Sequence, residues 1–450
     1  MNLLFTIAAF AVTLGVLIVI HELGHYWVAR RCDVKVLRFS IGFGRPLLRW
    51  VRGPDRTEWV LAAVPLGGYV RMLDERDADS GPVSAEDLPR AFNRQSVGRR
   101  IAIVLAGPLA NLLLAVAVYW GLNLVGVLEP RAVVARPTAG TPAAQAQLRE
   151  GDLVLNAADN EVRSWNDLNW ILLRAAVDRR EVDMVVRGSD GVTRDLRLDL
   201  RTVSAADGEG NPMERIGLAP YGGPPRLARI TDGSAAQAAG LQEGDRALEV
   251  DRQPVRSARD LSERVAAAPG KPIELLIERD GQQRLVVVTP ARVTDDRGRV
   301  VGRMGVQLSE RPELVKVHYG PIESLGVALT RTWDTAIFSL RMLGKMLVGE
   351  ASWKNLSGPV TIADYAGQTA KIGLASYLSF LALVSISLGV LNLLPIPMLD
   401  GGHLLYYAIE ILKGSPPAEW AVEWGQRAGI AALFLLTALA LYNDIARLLS

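Results

Sequence analysis

Four long apolar runs, separated by charged sequence, constrain the fold of this 450-residue chain more than any other feature. They cover residues 3–20, 101–126, 375–394 and 424–442. A helix that crosses a bilayer needs about 20 predominantly apolar residues. A cleaved signal peptide is the alternative for the first run, but no basic segment precedes it and no small-residue cleavage site follows it. The pattern predicts a polytopic α-helical membrane protein with four transmembrane helices.

The rest of the composition excludes several classes of protein. Hydrophobic residues make up 49% of the chain, charged residues 22%, and the formal net charge is only +2. A nucleic-acid-binding protein would need a concentrated basic face, so we expect no nucleic acid partner. Cys32 is the only cysteine, which rules out an internal disulfide and a cysteine-based metal site. With four histidines in all, any pair at metal spacing is informative.

The orientation of the spans follows from the basic residues in the short connections. From Arg30 to Arg100 there are fourteen Lys or Arg residues against nine Asp or Glu residues. Short loops rich in Lys and Arg stay in the cytoplasm. Parity then predicts that the N-terminus, residues 127–374 and the C-terminus lie outside, and that residues 396–423 lie inside.

The sequence His21-Glu22-Leu23-Gly24-His25 stands at the predicted cytoplasmic end of the first span. Residues four apart share one face of a helix, so both imidazoles can reach one ion. Glu22 can then act as general base on a metal-bound water. The alternative is a His/Glu cluster that caps a helix near the lipid headgroups, although ionisable residues at membrane depth are costly and usually functional.

A third ligand is expected because a catalytic zinc usually takes three protein ligands and a water. Asp400 fits, since the third span runs in the same direction as the first and ends at the same leaflet. Pro395 and Pro397 interrupt that span, and irregular backbone at membrane depth is tolerated around a cavity. Asp400 as an ordinary turn residue is the alternative. His403 lies near it as a supporting or structural residue.

Two strand-like segments, 34–44 and 58–72, lie between the first two spans and contain Gly67 and Gly68. One interpretation is a plain cytoplasmic hairpin. The other is a strand edge that pairs with an unwound substrate, because a helical substrate has its amides hydrogen-bonded internally.

An internal repeat fills the outer segment: residues 141–152 align with residues 234–245, at an offset of 93 that persists into the following helix. A matched pair at constant spacing indicates two copies of one domain. Each copy resembles a PDZ domain, a class that binds extended peptides by strand addition. We expect Gly217 and Leu218 to form the peptide-binding loop of the second copy. The copies either bind chain ends or only filter substrates by size.

Taken together, the HELGH motif, the segment Asn392-Leu-Leu-Pro-Ile-Pro-Met-Leu-Asp-Gly-Gly402 and Gly107-Pro-Leu-Ala-Asn111 resemble the site-2 protease family of intramembrane metalloproteases. The resemblance covers essentially the whole chain. It implies Zn²⁺ held by His21, His25 and Asp400, with Glu22 as the catalytic base. It also implies substrate positioning by Asn392, and by the segments that contain Pro395, Pro397, Gly67 and Gly68.

The same resemblance implies a membrane-associated β-hairpin, two periplasmic α/β PDZ-like domains that gate access, and a site near the cytoplasmic side of a bacterial inner membrane. Membrane lipids surround such a protein. Its substrates would be single-span membrane proteins, such as an anti-sigma factor of the sigma-E stress response, and remnant signal peptides.

Our predicted domains follow from these patterns. They are 1–30 (first span with HExxH), 31–100 (hairpin segment), 101–126 (second span), 127–215 and 216–310 (PDZ-like copies), 311–374 (amphipathic helix and connector), 375–403 (third span with Leu-Asp-Gly) and 404–450 (cytoplasmic loop and fourth span). The amphipathic helix either lies on the outer membrane surface or packs against the second copy.

We expect a zinc metalloendopeptidase that cuts within the membrane. Two alternative functions are also compatible with the sequence. One is a membrane-anchored PDZ scaffold with a vestigial metal motif, and the other is a zinc peptidase that cuts soluble loops at the cytoplasmic face.

Overall fold

A computed structural model describes residues 3–76, 83–203, 212–295 and 298–449. The chain forms two compact units. The first combines the two ends of the chain, up to Val127 and from His318 onward, and the second consists mainly of the residues between them.

The helices of the described residues are, in chain order, α1 (Leu3–Arg31), α2 (Val97–Val125), α3 (Pro142–Gln145), α4 (Trp165–Val177), α5 (Pro212–Ile216), α6 (Ala235–Ala238), α7 (Ala258–Ala266), α8 (Pro321–Leu347), α9 (Pro359–Ile372), α10 (Leu374–Asn392), α11 (Asp400–Lys413) and α12 (Glu419–Leu449).

The strands are β1 (Val36–Arg52), β2 (Thr57–Met72), β3 (Val127–Pro130), β4 (Leu153–Ala157), β5 (Asn160–Glu161), β6 (Glu181–Arg187), β7 (Thr193–Asp199), β8 (Arg226–Ile230), β9 (Arg246–Val250), β10 (Gln253–Pro254), β11 (Ile273–Arg279), β12 (Gln282–Val288), β13 (Ala291–Thr294), β14 (Val300–Arg303), β15 (Val306–Ser309) and β16 (Leu314–Val317).

Within the described residues, four helices are long and apolar enough to cross a membrane: α1, α2, α10 and α12. They coincide with the four predicted spans, so the protein is an integral membrane protein. The connection after the third span differs from the prediction. We expected a loop over residues 404–423, before the fourth span. The first part of this range is instead helical, because α11 occupies Asp400–Lys413. This helix ends at Gly414, which adopts the left-handed conformation that is common just after a helix and that glycine takes without strain.

The amphipathic helix α8 packs through its small residues rather than its large ones. Ala328 and Ala336 are buried with residues of α2 and α10, whereas Leu329 and Trp333 are 50% and 67% exposed. Small side chains let helices approach closely inside a bilayer. The large apolar side chains Leu329 and Trp333 therefore lie on the outward face of α8, and the small ones form its packing face.

A buried carboxylate of α12 holds the start of α9. Asp444 is 1% exposed and accepts bonds from the backbone N–H groups of Gly358, Val360 and Thr361 and from the Thr361 hydroxyl. The first N–H groups of a helix lack partners within the helix, so a side chain from elsewhere can supply them. The contact joins the fourth span to α9.

The hairpin of β1 and β2 folds back on itself. Residues 38–41 of β1 pair on one side with residues 58–61 of β2 and on the other side with residues 68–71, while residues 48–52 pair with residues 57–61. Bulges mark the two bends, and Gly42 adopts a φ of 92° at one of them. The result is a small sheet in which residues 68–72 form one edge and pair antiparallel with residues 36–41.

The second unit contains two small α/β subdomains, each with its own apolar core. The first core gathers residues from Ala132 to Leu218, and the second gathers residues from Leu227 to Met304. The predicted boundary at 215/216 is therefore too early. Ile216 and Leu218 are buried in the first core, and residues 219–221 pair with residues 133–135. The strand that completes the first subdomain comes last in its sequence.

The two subdomains share a buried carboxylate at the repeat position. Asp152 and Asp245 are each 1% exposed and each accepts a backbone N–H from the turn that precedes it. Their arginine partners come from neighbouring strands: Arg194 lies in β7, whereas Arg279 lies in β11. The structure thus keeps the carboxylate and changes the strand that supplies the cation.

Candidate metal centre

Helix α1 places His21 and His25 one turn apart on the face that packs against α2. Gly24 makes the close approach possible, because a Cβ atom there would lie 2.8 Å from the Cβ atom of Ala110. Gly107 of α2 faces the two rings. A Cβ atom at Gly107 would lie 2.8 Å from Nε2 of His21 and nearer still to His25. The two glycines therefore create the space that the imidazoles occupy.

The second nitrogen of each imidazole contacts α2. Nδ1 of His25 lies 2.8 Å from the carbonyl oxygen of Ile103. A carbonyl only accepts, so this nitrogen carries the proton and Nε2 is left with a free lone pair. Nδ1 of His21 lies 3.3 Å from the side-chain amide of Asn111. Both rings thus turn their Nε2 atoms toward the same point.

Asp400 reaches that point because the chain breaks between α10 and α11. The two prolines lie in the break, and Met398 adopts a φ of 88°, a conformation that is uncommon for residues other than glycine. A Cβ atom at Gly401 would lie 2.5 Å from the carbonyl carbon of Leu393. The glycine after Asp400 therefore lets α11 begin directly against the end of α10.

The two imidazoles and the carboxylate form a compact set of donors. Nε2 of His21 lies 3.2 Å from Nε2 of His25 and 3.2 Å from Oδ2 of Asp400, and the remaining separation is 3.5 Å. Ligands about 2.05 Å from a tetrahedral ion are about 3.3 Å apart. The separations therefore fit a zinc ion bound by three protein ligands. All three side chains are at most 19% exposed.

A cavity of about 750 Å³ opens beside these residues. Glu22 lines it, together with Asn392, Gly67 and Gly68. Gly68 lies against α1, since a Cβ atom there would be 2.9 Å from Cγ of Glu22. His403 also lines the cavity. The sequence-predicted residues of the first unit thus converge on one space, with two exceptions.

The exceptions are the prolines. Pro395 is exposed, and neither Pro395 nor Pro397 is among the residues that line the cavity. Pro397 instead packs against α12, where Cβ atoms at Gly425 and Gly429 would lie 3.6 Å and 3.0 Å from its ring. The two prolines contribute to the site by separating α10 from α11, which lets Asp400 reach the imidazoles.

The edge of the hairpin sheet forms one wall of the cavity. Residues 67–72 line it, and in the part of the chain that the structure describes β1 is the only strand paired with them. The other side of this edge carries backbone groups that a second extended chain can pair with. Phe43 and Tyr69 stack with their ring centroids 6.2 Å apart beside this edge.

Gly217 and Leu218 lie in the second unit, and the subdomain that they belong to is not the expected one. They are part of the first copy, where a Cβ atom at Gly217 would lie 2.6 Å from Cβ of Thr141. The equivalent glycine of the second copy is Gly305, which faces Ser234. Thr141 and Ser234 are 93 residues apart, but Gly217 and Gly305 are only 88 apart, so the constant repeat offset does not extend to this pair of glycines.

The sequence analysis assigned no role to three further residues at the site, Ile103, Asn111 and Met398, although the last two lie in the motifs that carry the family resemblance. The sequence offers one signal, because Asn111 is a polar residue in the middle of an apolar helix. Asn111 is fully buried, and buried polar side chains at membrane depth usually serve a function.

Comparisons with known proteins identify the family of this chain. The model of peptidase family M50 matches residues 9–436. A Ralstonia nicotianae protein that carries the name of a zinc metalloprotease is 47% identical, with 98% of each chain covered. The regulators of sigma-E protease from Salmonella typhi and Escherichia coli K12 are each 42% identical over the whole of both chains. The resemblance to site-2 proteases is confirmed.

Among solved structures, the PDZ domain of the SdrC-like protein of Listeria monocytogenes is similar to part of this chain. The TM-score is 0.17 and the identity 16%, with 20% of this chain and 90% of that chain covered.

Proposed function

Because this chain belongs to peptidase family M50 and is a zinc metalloendopeptidase, we propose that it hydrolyses peptide bonds within the transmembrane segments of single-span membrane proteins. The observation that carries the proposal is the tetrahedral spacing of His21, His25 and Asp400 beside a cavity bounded by membrane-spanning helices. These three residues would hold the zinc ion.

The zinc ion would supply Lewis-acid chemistry, which lowers the pKa of water to about 7 and polarises the carbonyl that is attacked. Glu22 lines the cavity beside the ligands. Its carboxylate accepts the proton of the attacking water and delivers it to the amide nitrogen as the C–N bond breaks. Asn392 lines the same cavity, where its amide can donate a hydrogen bond to the developing oxyanion.

Substrate binding needs a step that soluble peptidases do not face. A transmembrane helix has its backbone groups hydrogen-bonded internally, so a segment must unwind before a carbonyl is accessible. The sheet edge at residues 67–72 supports strand addition of the unwound segment within the cavity. We therefore favour the pairing role of the hairpin over a plain cytoplasmic turn.

The two subdomains of the second unit are proposed to gate access from the periplasm. The repeat and the buried first-copy loop around Gly217 and Leu218 support a PDZ-like role. The relatives named as regulators of sigma-E protease suggest a place in a sigma-E stress response, with a membrane-anchored anti-sigma factor as substrate. Remnant signal peptides are a second substrate class. The location would be the inner membrane of a bacterium, with the site near the cytoplasmic side.

The experiment compares wild-type protein with Glu22→Gln in liposomes that contain a single-span substrate. Gln preserves the size and polarity of Glu22 and removes its ability to take a proton. We expect both proteins to retain about one zinc per chain, and we expect cleavage by the variant to fall at least about 100-fold, as for loss of a general base. Mass spectrometry of the products maps the cut.

Each outcome discriminates. A Glu22→Gln protein that cleaves normally would revive the scaffold with a vestigial motif. Cuts confined to residues outside the bilayer would instead favour a peptidase for soluble loops. A wild-type protein without bound metal would overturn the metal centre itself.

Gating is tested with two substrates that share one transmembrane segment, one with and one without a folded periplasmic domain. We expect the short substrate to be cleaved faster. Equal rates would refute gating. Binding of peptides with free and amidated C-termini to the full-length protein then separates end recognition from a size filter, because only end recognition requires the carboxylate.

A further inference from the structure

Two residues of α2 lie within hydrogen-bonding distance of the imidazoles of α1. The backbone carbonyl of Ile103 faces His25, and the side chain of Asn111 faces His21. The side chain of Asn111 is fully buried, and its Nδ2 atom lies 3.3 Å from Nδ1 of His21. Its Oδ1 atom is also buried and has no hydrogen-bond partner among the described residues. A buried polar atom without a partner costs about 1–3 kcal/mol, so this arrangement needs an explanation.

The metal centre provides it. When Nε2 of His21 binds an ion, the proton of the ring must lie on Nδ1, which then requires an acceptor and not a donor. The carboxamide of asparagine is nearly symmetric, and a half-turn exchanges its oxygen and nitrogen without moving any neighbour. After this turn Oδ1 accepts the Nδ1–H of His21, and Nδ2 takes the position in which Oδ1 had no partner.

We propose that Asn111 is a positioning residue of the metal centre: its side-chain oxygen accepts the Nδ1–H of His21 and holds that imidazole with Nε2 toward the ion. The inference rests on the proposed metal centre. Asn111 would do for His21 what the carbonyl of Ile103 does for His25.

A third helix fixes the backbone of Asn111. The Ser385 hydroxyl of α10 donates to the Asn111 carbonyl oxygen at 2.7 Å, and Ser385 is fully buried. His21, Asn111 and Ser385 therefore connect α1, α2 and α10. The helix that leads toward Asp400 is thus tied to the residue that orients His21.

The test measures zinc affinity by chelator competition in the purified full-length protein. Asn111→Leu keeps the size and removes the acceptor, whereas Asn111→Asp keeps an acceptor. Loss of such a partner typically costs about 10- to 100-fold in metal affinity, and we expect this loss for Leu and near wild-type affinity for Asp. Asn123→Leu is the matched control, a buried asparagine of the same helix that instead faces the carbonyl of Ser324.

Zinc-free thermal stability of each variant separates positioning from folding. If Asn111→Leu does not fold, the comparison between Asn111→Asp and Asn111→Ala decides. Wild-type zinc affinity in Asn111→Leu or Asn111→Ala would overturn the inference. So would an Asn111→Asp protein whose zinc affinity is as low as that of these two variants. A wild-type protein that binds no zinc would overturn the metal centre as well, so the two failures are distinguishable.

Discussion

Replacing Gly107 by alanine tests the packing that creates the metal centre. The added Cβ atom would lie 2.6 Å from Cε1 of His25 and 2.8 Å from Nε2 of His21. Its nearest contact is Nε2 of His25, closer than either of these, and nonbonded contacts are optimal near about 3.5 Å, so the His25 ring must move by about 1 Å or more. Ligand distances at a zinc site tolerate only about 0.2 Å. We expect zinc affinity and cleavage to fall by about 100-fold or more, equivalent to about 2.7 kcal/mol.

The assay pairs chelator competition with cleavage of the single-span substrate. Gly121→Ala is the matched control, because nothing lies within 4 Å of a Cβ atom at that position of the same helix. We expect it to bind zinc within about twofold of wild type, as for substitutions without a new contact. A Gly107→Ala protein with wild-type zinc affinity and cleavage would show that the rings do not occupy this space.

Two further predictions concern buried ion pairs. Burial raises the pKa of Asp245, but bonds from Arg279 and from the Gln242 N–H outweigh it and leave the pKa below its ordinary value of 3.8. The stabilisation that Arg279 gives to the Asp245 carboxylate is present above pH 4 and is lost as the pH falls through the lowered pKa. We therefore expect Arg279→Gln to weaken the hydrogen-exchange protection of β9 at pH 7. Below about pH 4, the difference in protection between the variant and the wild type should shrink. An unchanged difference would refute the linkage. In the first unit, Arg100 and Glu410 lie 2.7 Å apart, each 13% exposed; we expect Arg100→Met to destabilise by about 3–5 kcal/mol and Arg100→Met with Glu410→Leu to recover much of that loss, in a thermal double-mutant cycle.

Much of the site could be predicted because it obeys local rules. The spacing of His21 and His25 needs only the helical repeat. Asp400 follows from the direction of the spans, which sets the leaflet where each span ends. The structure brings these three residues together, and the four spans lie where the apolar runs predict them.

Asn111 could not be assigned from sequence because its partner depends on how α1 packs on α2. If either helix were rotated about its axis by a fraction of a turn, the amide would point at another residue. The same holds for α8, whose packing against α2 and α10 through small residues the sequence did not indicate. In a bilayer, apolarity does not distinguish the face toward lipid from the face toward protein.

The assignment of Gly217 and Leu218 to the second copy was wrong for a topological reason. The chain that closes the first subdomain returns after the long excursion through β6 and β7. Linear order along a repeat does not reveal which copy receives a terminal strand. The back-folding of β1 and β2 escaped notice similarly, because two bends inside long strands resemble one hairpin in sequence.

The two imidazoles come from the start of the polypeptide, and the carboxylate that joins them is translated near its end. A nascent chain released at any point before residue 400 carries the two imidazoles but lacks the carboxylate of Asp400, and a catalytic zinc usually takes three protein ligands. We therefore expect the proposed metal centre to assemble only once almost the entire polypeptide has been made.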